Sequence, residues 1–137
     1  MAPEPRIPTP EGLNLEFYEH AKDGVLHLQR CTDCGRFRHP PRYYCPECSS
    51  SNYEWQPSPG RGELFSWTVT HFPFDRGWAA ELPYTTAVVE LEERVRLVGA
   101  LAGPGTDQLR LGLPLVAQID PTTYGFPFIT FVSREPT

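Results

Sequence analysis

The chain has 137 residues, a length that suits one domain or two small ones. It is 39% hydrophobic and 12% aromatic, enough for a compact core, and no apolar run approaches the ~20 residues of a membrane span. A net charge of −5 and a pI of about 5.3 weigh against nucleic acid as the main partner, because a phosphate backbone demands a basic footprint.

Sixteen prolines and eleven glycines point to short strands and turns rather than long helices. Residues 1–12 read as a flexible, polyproline-like lead-in or a linker from a larger fusion, since MAPEPRIPTPE carries four prolines and little to bury. Residues 13–58 read as a helix plus a metal ribbon. Leu13, Phe17 and Ala21 fall at helical spacing, Asn14 is the expected N-cap, and Gly24 suits the residue just past the helix end. Val25 to Arg30 is a strand candidate leading into CTDC, residues 37–44 connect to CPEC, and Asn52 to Gln56 is a strand leaving it.

Residues 59–137 carry five further strand candidates. In the first, Glu63 to Phe72, alternation puts Phe65, Trp67 and Val69 on one face and Ser66, Thr68 and Thr70 on the other. Tyr84 to Leu91 follows, then a tight turn at Glu92–Arg94 and a third strand from Val95 to Leu101. Gly99 inside that strand marks a bend or a close backbone approach. The connection through residues 103–114 has room for one helical turn, and Leu115 to Ile119 and Phe128 to Val132 complete the set. Five short strands with a longer connection between the third and fourth suit a small Greek-key barrel of the OB type, with an SH3-like barrel or small sandwich as the fallback.

The strongest chemical signal is the cysteine pattern. Cys31, Cys34, Cys45 and Cys48 form two Cys-x-x-Cys pairs ten residues apart, which lets four thiolates meet at a tetrahedral Zn²⁺. Gly35, just after the first pair, lets the backbone turn under the metal and aim N–H groups at sulfur. Four protein ligands leave no open position for substrate, so the metal is read as structural. Disulfides would need an oxidising compartment, and no signal peptide is recognisable. A thioredoxin-type pair would not come doubled, and an iron–sulfur centre fits the symmetric spacing less well than a ribbon. The expected setting is the cytoplasm.

No catalytic constellation is visible. P-loop, nucleophile-elbow, dinucleotide-binding and zinc-protease patterns are absent, and none of the four histidines has a partner at useful spacing. Arg30, Arg36, Arg38 and Arg42 make the ribbon locally basic, which suits a phosphate-bearing ligand; equally, they would offset the roughly −2 charge of zinc with four thiolates. The stretch HFPFDRGW gathers Phe72, Phe74 and Trp78, either as an exposed partner surface or folded back over the barrel mouth, and Tyr124 to Phe128 raises the same question.

Taken together, EFYEHAKDGVLHLQRC, CTDCG/CPEC, GRGELFSWTVTHFP and PYTTAVVELEE resemble the DUF35 proteins from about Leu13 onward. The resemblance implies a mainly β chain: a short N-terminal helix, a rubredoxin-like zinc ribbon and a five-stranded OB-fold barrel. It further implies structural zinc on Cys31, Cys34, Cys45 and Cys48. Such proteins are non-catalytic accessory subunits in hetero-oligomers with thiolase-superfamily enzymes, namely thiolase, HMG-CoA synthase or a steroid side-chain retro-aldolase. They help bind or channel acyl-CoA there, while the catalytic groups belong to the thiolase-fold subunit. Some relatives carry a fused or associated hydratase domain. On this reading the ribbon arginines contact CoA, Phe72, Phe74 and Trp78 contact the partner, and neither nucleic acid nor membrane is bound. The rival reading is a single-stranded nucleic-acid-binding protein, with Trp67, Phe72 or Trp78 as stacking platforms.

Overall fold

The computed structural model describes residues 3–135. Helix α1 spans Gly12–His20 and buries Leu13 and Phe17. It starts three residues earlier than an Asn14 cap requires: Glu11 occupies the N-cap without a side-chain hydrogen bond, and Asn14 lies exposed in the first turn. Burial of Leu13, together with the entry turn that Gly12 permits at φ +60°, outweighs the capping preference of asparagine. A 3₁₀ turn over Ala21–Asp23 follows, and Gly24 ends it at φ +85°, the left-handed conformation expected of a terminating glycine.

Strands β1 (His27–Cys31), β2 (Phe37–Arg38) and β3 (Tyr53–Pro57) form an antiparallel sheet in the order β2-β1-β3. The helix is tied to it through Glu16, whose carboxylate accepts from the Tyr53 hydroxyl at 3.0 Å and the Trp55 indole at 3.3 Å.

The barrel comprises β4 (Arg61–Thr70), β5 (Tyr84–Leu91), β6 (Arg96–Leu101), β7 (Pro114–Asp120) and β8 (Phe128–Ser133). Its order is β4-β5-β6-β8-β7, closed by pairing of β7 with β4, and only β6 and β8 run parallel. This is the five-stranded OB architecture. The long 3–4 connection holds a single 3₁₀ turn, Thr106–Gln108. Gly99 sits where β6 meets β8: a Cβ there would lie 2.8 Å from the Ile129 carbonyl oxygen and 2.9 Å from the Phe131 ring.

One strand departs from simple alternation. β4 and β5 slip register between Leu64 and Ser66, a β-bulge. Leu64 points inward, Phe65 and Ser66 both face out, and Trp67 returns to pack on the core. Phe65 therefore parts from Trp67 and Val69, and the Arg96 guanidinium covers its ring at 3.7 Å. The core is continuous across both modules: Phe17, Leu26 and Leu28 of the helix–ribbon half pack in one cluster with Leu64, Val89, Leu97, Leu115 and Phe131 of the barrel.

Candidate metal centre and binding surfaces

Two matching knuckles hold the cysteines. In the first, the Gly35 N–H donates to the Cys31 carbonyl at 2.9 Å and the Cys31 N–H to the Arg36 carbonyl at 2.9 Å. In the second, the Ser49 N–H donates to the Cys45 carbonyl at 2.9 Å and the Cys45 N–H to the Ser50 carbonyl at 2.8 Å. Each turn needs one left-handed residue, supplied by Gly35 at φ +80° and by Ser49 at φ +65°. Asp33 joins the two knuckles by accepting from the Ser50 hydroxyl and from the Asn52 amide at 3.2 Å.

The four sulfurs all lie within 4.8 Å of one another, with Cys31–Cys48 and Cys34–Cys45 at 3.6 Å. Tetrahedral Zn–S bonds of ~2.3 Å place sulfurs about 3.8 Å apart, so the tetrad fits structural zinc. The electrostatics of the tetrad suit a cation. The Cys34 N–H, 3.5 Å from the Cys31 sulfur, is the largest influence holding that thiol down to about 6. Cys48 receives similar help from the Ser50 N–H, yet burial and the neighbouring sulfurs push it up to about 12. Four thiolates cannot coexist at this spacing unless a metal ion offsets their repulsion.

The ribbon arginines do not form one cationic face. Arg38 is buried: its Nε and Nη2 donate to the Arg42 carbonyl at 3.2 and 2.9 Å, its guanidinium lies 5.7 Å from the Tyr53 ring centroid, and Nη1 is enclosed without a partner. The buried Gln29 amide pairs with the Arg42 backbone, donating to its carbonyl at 2.9 Å and accepting from its N–H at 2.8 Å. Arg30 donates to the Gly35 carbonyl at 2.9 Å and lies over Phe37. Arg36 approaches Glu47 at 3.6 Å. The Arg42 side chain is exposed and makes no ion pair among the described residues. The half-exposed Arg30 also lies 4.0 Å from Glu54, and Arg36 and Arg42 are thus the two most exposed of the four. Beside them stand Tyr43 and Tyr44, both exposed, which sequence reasoning passed over.

The aromatic loop after β4 divides in two. Phe72 and Phe74 contact each other at 4.9 Å between ring centroids and are 63% and 85% exposed. Trp78 turns back instead and packs on Tyr124 at 5.2 Å and Phe128 at 5.7 Å. Asp75 shapes the loop by accepting from the Gly77 N–H at 2.9 Å and the Arg6 N–H at 3.1 Å, contacts that hold its carboxyl below the usual range. Gly77 is pressed so closely to residues 4 and 5 that a Cβ there would collide with the Glu4 carbonyl and Pro5. No helix among the described residues is long and apolar enough to cross a membrane.

Known proteins share this arrangement. Residues 19–54 match the family described as ChsH2, rubredoxin-like zinc ribbon domain, and residues 55–120 match ChsH2, C-terminal OB-fold domain. A probable enoyl-CoA hydratase alpha subunit of Thermomonospora curvata is 40% identical over 75% of this chain and 32% of its own length. The 3-oxo-4,17-pregnadiene-20-carboxyl-CoA hydratase alpha subunit of Mycobacterium tuberculosis is 35% identical over 88% of this chain and 36% of its own length. The chain therefore spans about a third of those two relatives. The benzoylsuccinyl-CoA thiolase subunit BbsA of Thauera aromatica is 29% identical over 88% of this chain and 83% of its own length. Among solved structures, a chain of the Ltp2-ChsH2(DUF35) aldolase superposes with a TM-score of 0.85 at 32% identity, covering 94% of this chain and 100% of that one. With its zinc ribbon, OB barrel and near full-length match to that chain, the protein belongs to the ChsH2-type DUF35 family.

Proposed function

We propose that this chain is a non-catalytic accessory subunit that docks on a thiolase-superfamily enzyme and helps bind or channel its acyl-CoA substrate. The observation that carries the reading is the near-complete structural match to the DUF35 chain of an aldolase. Similarity to a named subunit of a CoA-thioester thiolase points the same way. The relatives' names carry ring-bearing acyl-CoA compounds, a pregnadiene carboxylate and a benzoylsuccinate, so a ring-bearing acyl group is the proposed substrate class.

Two surfaces suit the role. Phe72 and Phe74 are a pair of exposed rings with little besides each other to pack on, the chemistry of an interface anchor. Trp78 lies at the edge of the same loop and would bound that interface. Of the four ribbon arginines, the exposed Arg42 and the exposed Arg36, which lies 3.6 Å from Glu47, are the ones placed to meet the 3′-phosphate or pyrophosphate of CoA, with Arg30 and Arg38 hydrogen-bonded to the ribbon backbone. Zinc on Cys31, Cys34, Cys45 and Cys48 would fix that loop and supply no chemistry of its own.

The test is co-purification of the tagged chain from its source cells, followed by CoA binding to what is recovered. A thiolase-fold enzyme in near-equal amount, with CoA affinity reduced about tenfold by Arg42→Ala, is the expected result. Recovery of nucleic acid in place of an enzyme, with affinity falling steeply as salt rises, would establish the rival reading.

A further inference from the structure

The outer face of the barrel carries a groove of about 430 Å³, within the ~300–1,000 Å³ range of small-molecule sites. Its position in the fold is informative. OB folds bind ligands on the face of their second and third strands, between the loops that join strands 1–2 and 4–5. Here those are β5 and β6, the loop of residues 71–83, and the loop of residues 121–127. The groove uses all four. Tyr84 comes from β5, Val98 and Ala100 from β6, Trp78 from the first loop and Tyr124 from the second. Helix α1 adds Tyr18, which rests on Phe126 at 4.7 Å between ring centroids.

Trp78, Tyr124 and Phe128 form a mutual cluster, with centroid separations of 5.2, 5.7 and 5.7 Å. They make a wall of rings above a floor of small side chains, and Val98 on that floor is 59% exposed. Among the described residues, no lysine or arginine lines the groove. Among the described residues that line it, the one charged group is Glu81, whose carboxylate accepts from the Tyr124 hydroxyl at 3.5 Å. A groove for a phosphate backbone would carry cations, and this one carries the opposite sign. The lining instead suits a flat, uncharged body that lies on aromatic faces, with Thr86 and Thr130 among the lining residues as the potential donors to a carbonyl oxygen.

We infer that this groove binds an uncharged, ring-bearing organic group, the acyl portion of the CoA thioester, while the nucleotide's phosphates stay outside it. Naming the ligand as an acyl group rests on the accessory-subunit reading above; the groove's selectivity for uncharged rings rests on its own lining.

The experiment is a titration of the full chain with progesterone, an uncharged four-ring ketone, followed by tryptophan fluorescence. The expected result is saturable quenching that free CoA does not displace, with affinity at least tenfold weaker in Ala100→Phe, which fills the floor. Zinc content and far-UV circular dichroism report whether that variant folds, and Thr86→Phe provides a second filling from the neighbouring strand. Absence of saturable binding to the wild-type chain would overturn the inference, as would unchanged affinity in folded variants of both kinds. Displacement of progesterone by oligothymidylate or maltohexaose, ligands of the usual OB types, would overturn it as well. Partner capture is read separately. A chain that binds progesterone but recovers no thiolase-fold enzyme sinks the accessory reading and leaves the groove standing; the converse sinks the groove alone.

Discussion

His39 lies in the connection between the knuckles, its ring 5.0 Å from the Phe17 ring centroid, and burial pushes its pKa down to about 4. An unfolded chain takes up that proton near pH 6.5, whereas the folded chain refuses it until about pH 4. The unfolded state therefore binds more protons across this window, and stability falls as pH drops from 6.5 to 4, by on the order of 3 kcal/mol. Thiolate protonation at the zinc adds acid sensitivity of its own, so the measurement is a difference: urea midpoints of wild type and His39→Leu between pH 4 and 7. The wild type should lose more over the window; parallel curves would remove His39 from the account. Cys31→Ser is the harsher change. With zinc binding contributing on the order of 10 kcal/mol to a ribbon of this kind, metal analysis should fall to near zero and the ribbon should lose its fold. At this scale the sequence was partly legible. The cysteine spacing determined the metal centre because ligand geometry is local. Arg38 could not be assigned, because its burial depends on Tyr53 and on the Arg42 carbonyl, contacts made only once the ribbon closes.

At the scale of elements, the loop of residues 71–83 sends its rings in two directions. Phe72 and Phe74 touch mainly each other and solvent, while Trp78 joins the wall of the groove. Replacing both phenylalanines by alanine should weaken association with the partner enzyme more than tenfold. It should shift the melting temperature by no more than about 2–4 °C, since little buried area is lost. Surface plasmon resonance and a thermal melt check the two halves, and an unchanged complex would return the pair to the ordinary surface. All five barrel strands were readable from alternation and turn residues, and Tyr84–Leu91 falls where the pattern placed it. The exception lies inside β4. A bulge inserts one residue and so inverts the alternation before it, which hides Phe65 among apparent core positions. The start of α1 escaped for a related reason: a side chain that buries against another element, Leu13, overrides a local cap signal at Asn14. The groove was least legible, because it exists only where two loops far apart in sequence come together.

At the scale of the molecule, ribbon and barrel are two modules by sequence but one by packing. Phe17, Leu26 and Leu28 reach from the zinc half into the barrel's core cluster. Burying side chains of this size is worth ~1.5–3 kcal/mol each. Three of them therefore contribute roughly 5–9 kcal/mol, comparable to the entire ~5–15 kcal/mol stability of a small domain. Removing zinc should consequently do more than melt the ribbon. Once the ribbon opens, the barrel loses the cover over that end of its core and is left marginal. The expected behaviour is one cooperative transition that moves down by at least about 15 °C on chelation, without an early ribbon step. Trp55 in β3 and Trp67 in β4 report on the two halves. Variants in which each of these is the sole tryptophan, with Trp78 also replaced, melted with and without a strong chelator, should give coincident curves in both conditions. If Trp67 instead keeps its metal-bound midpoint after chelation while Trp55 unfolds early, the barrel stands alone, and the shared core would carry far less of the stability than its burial implies.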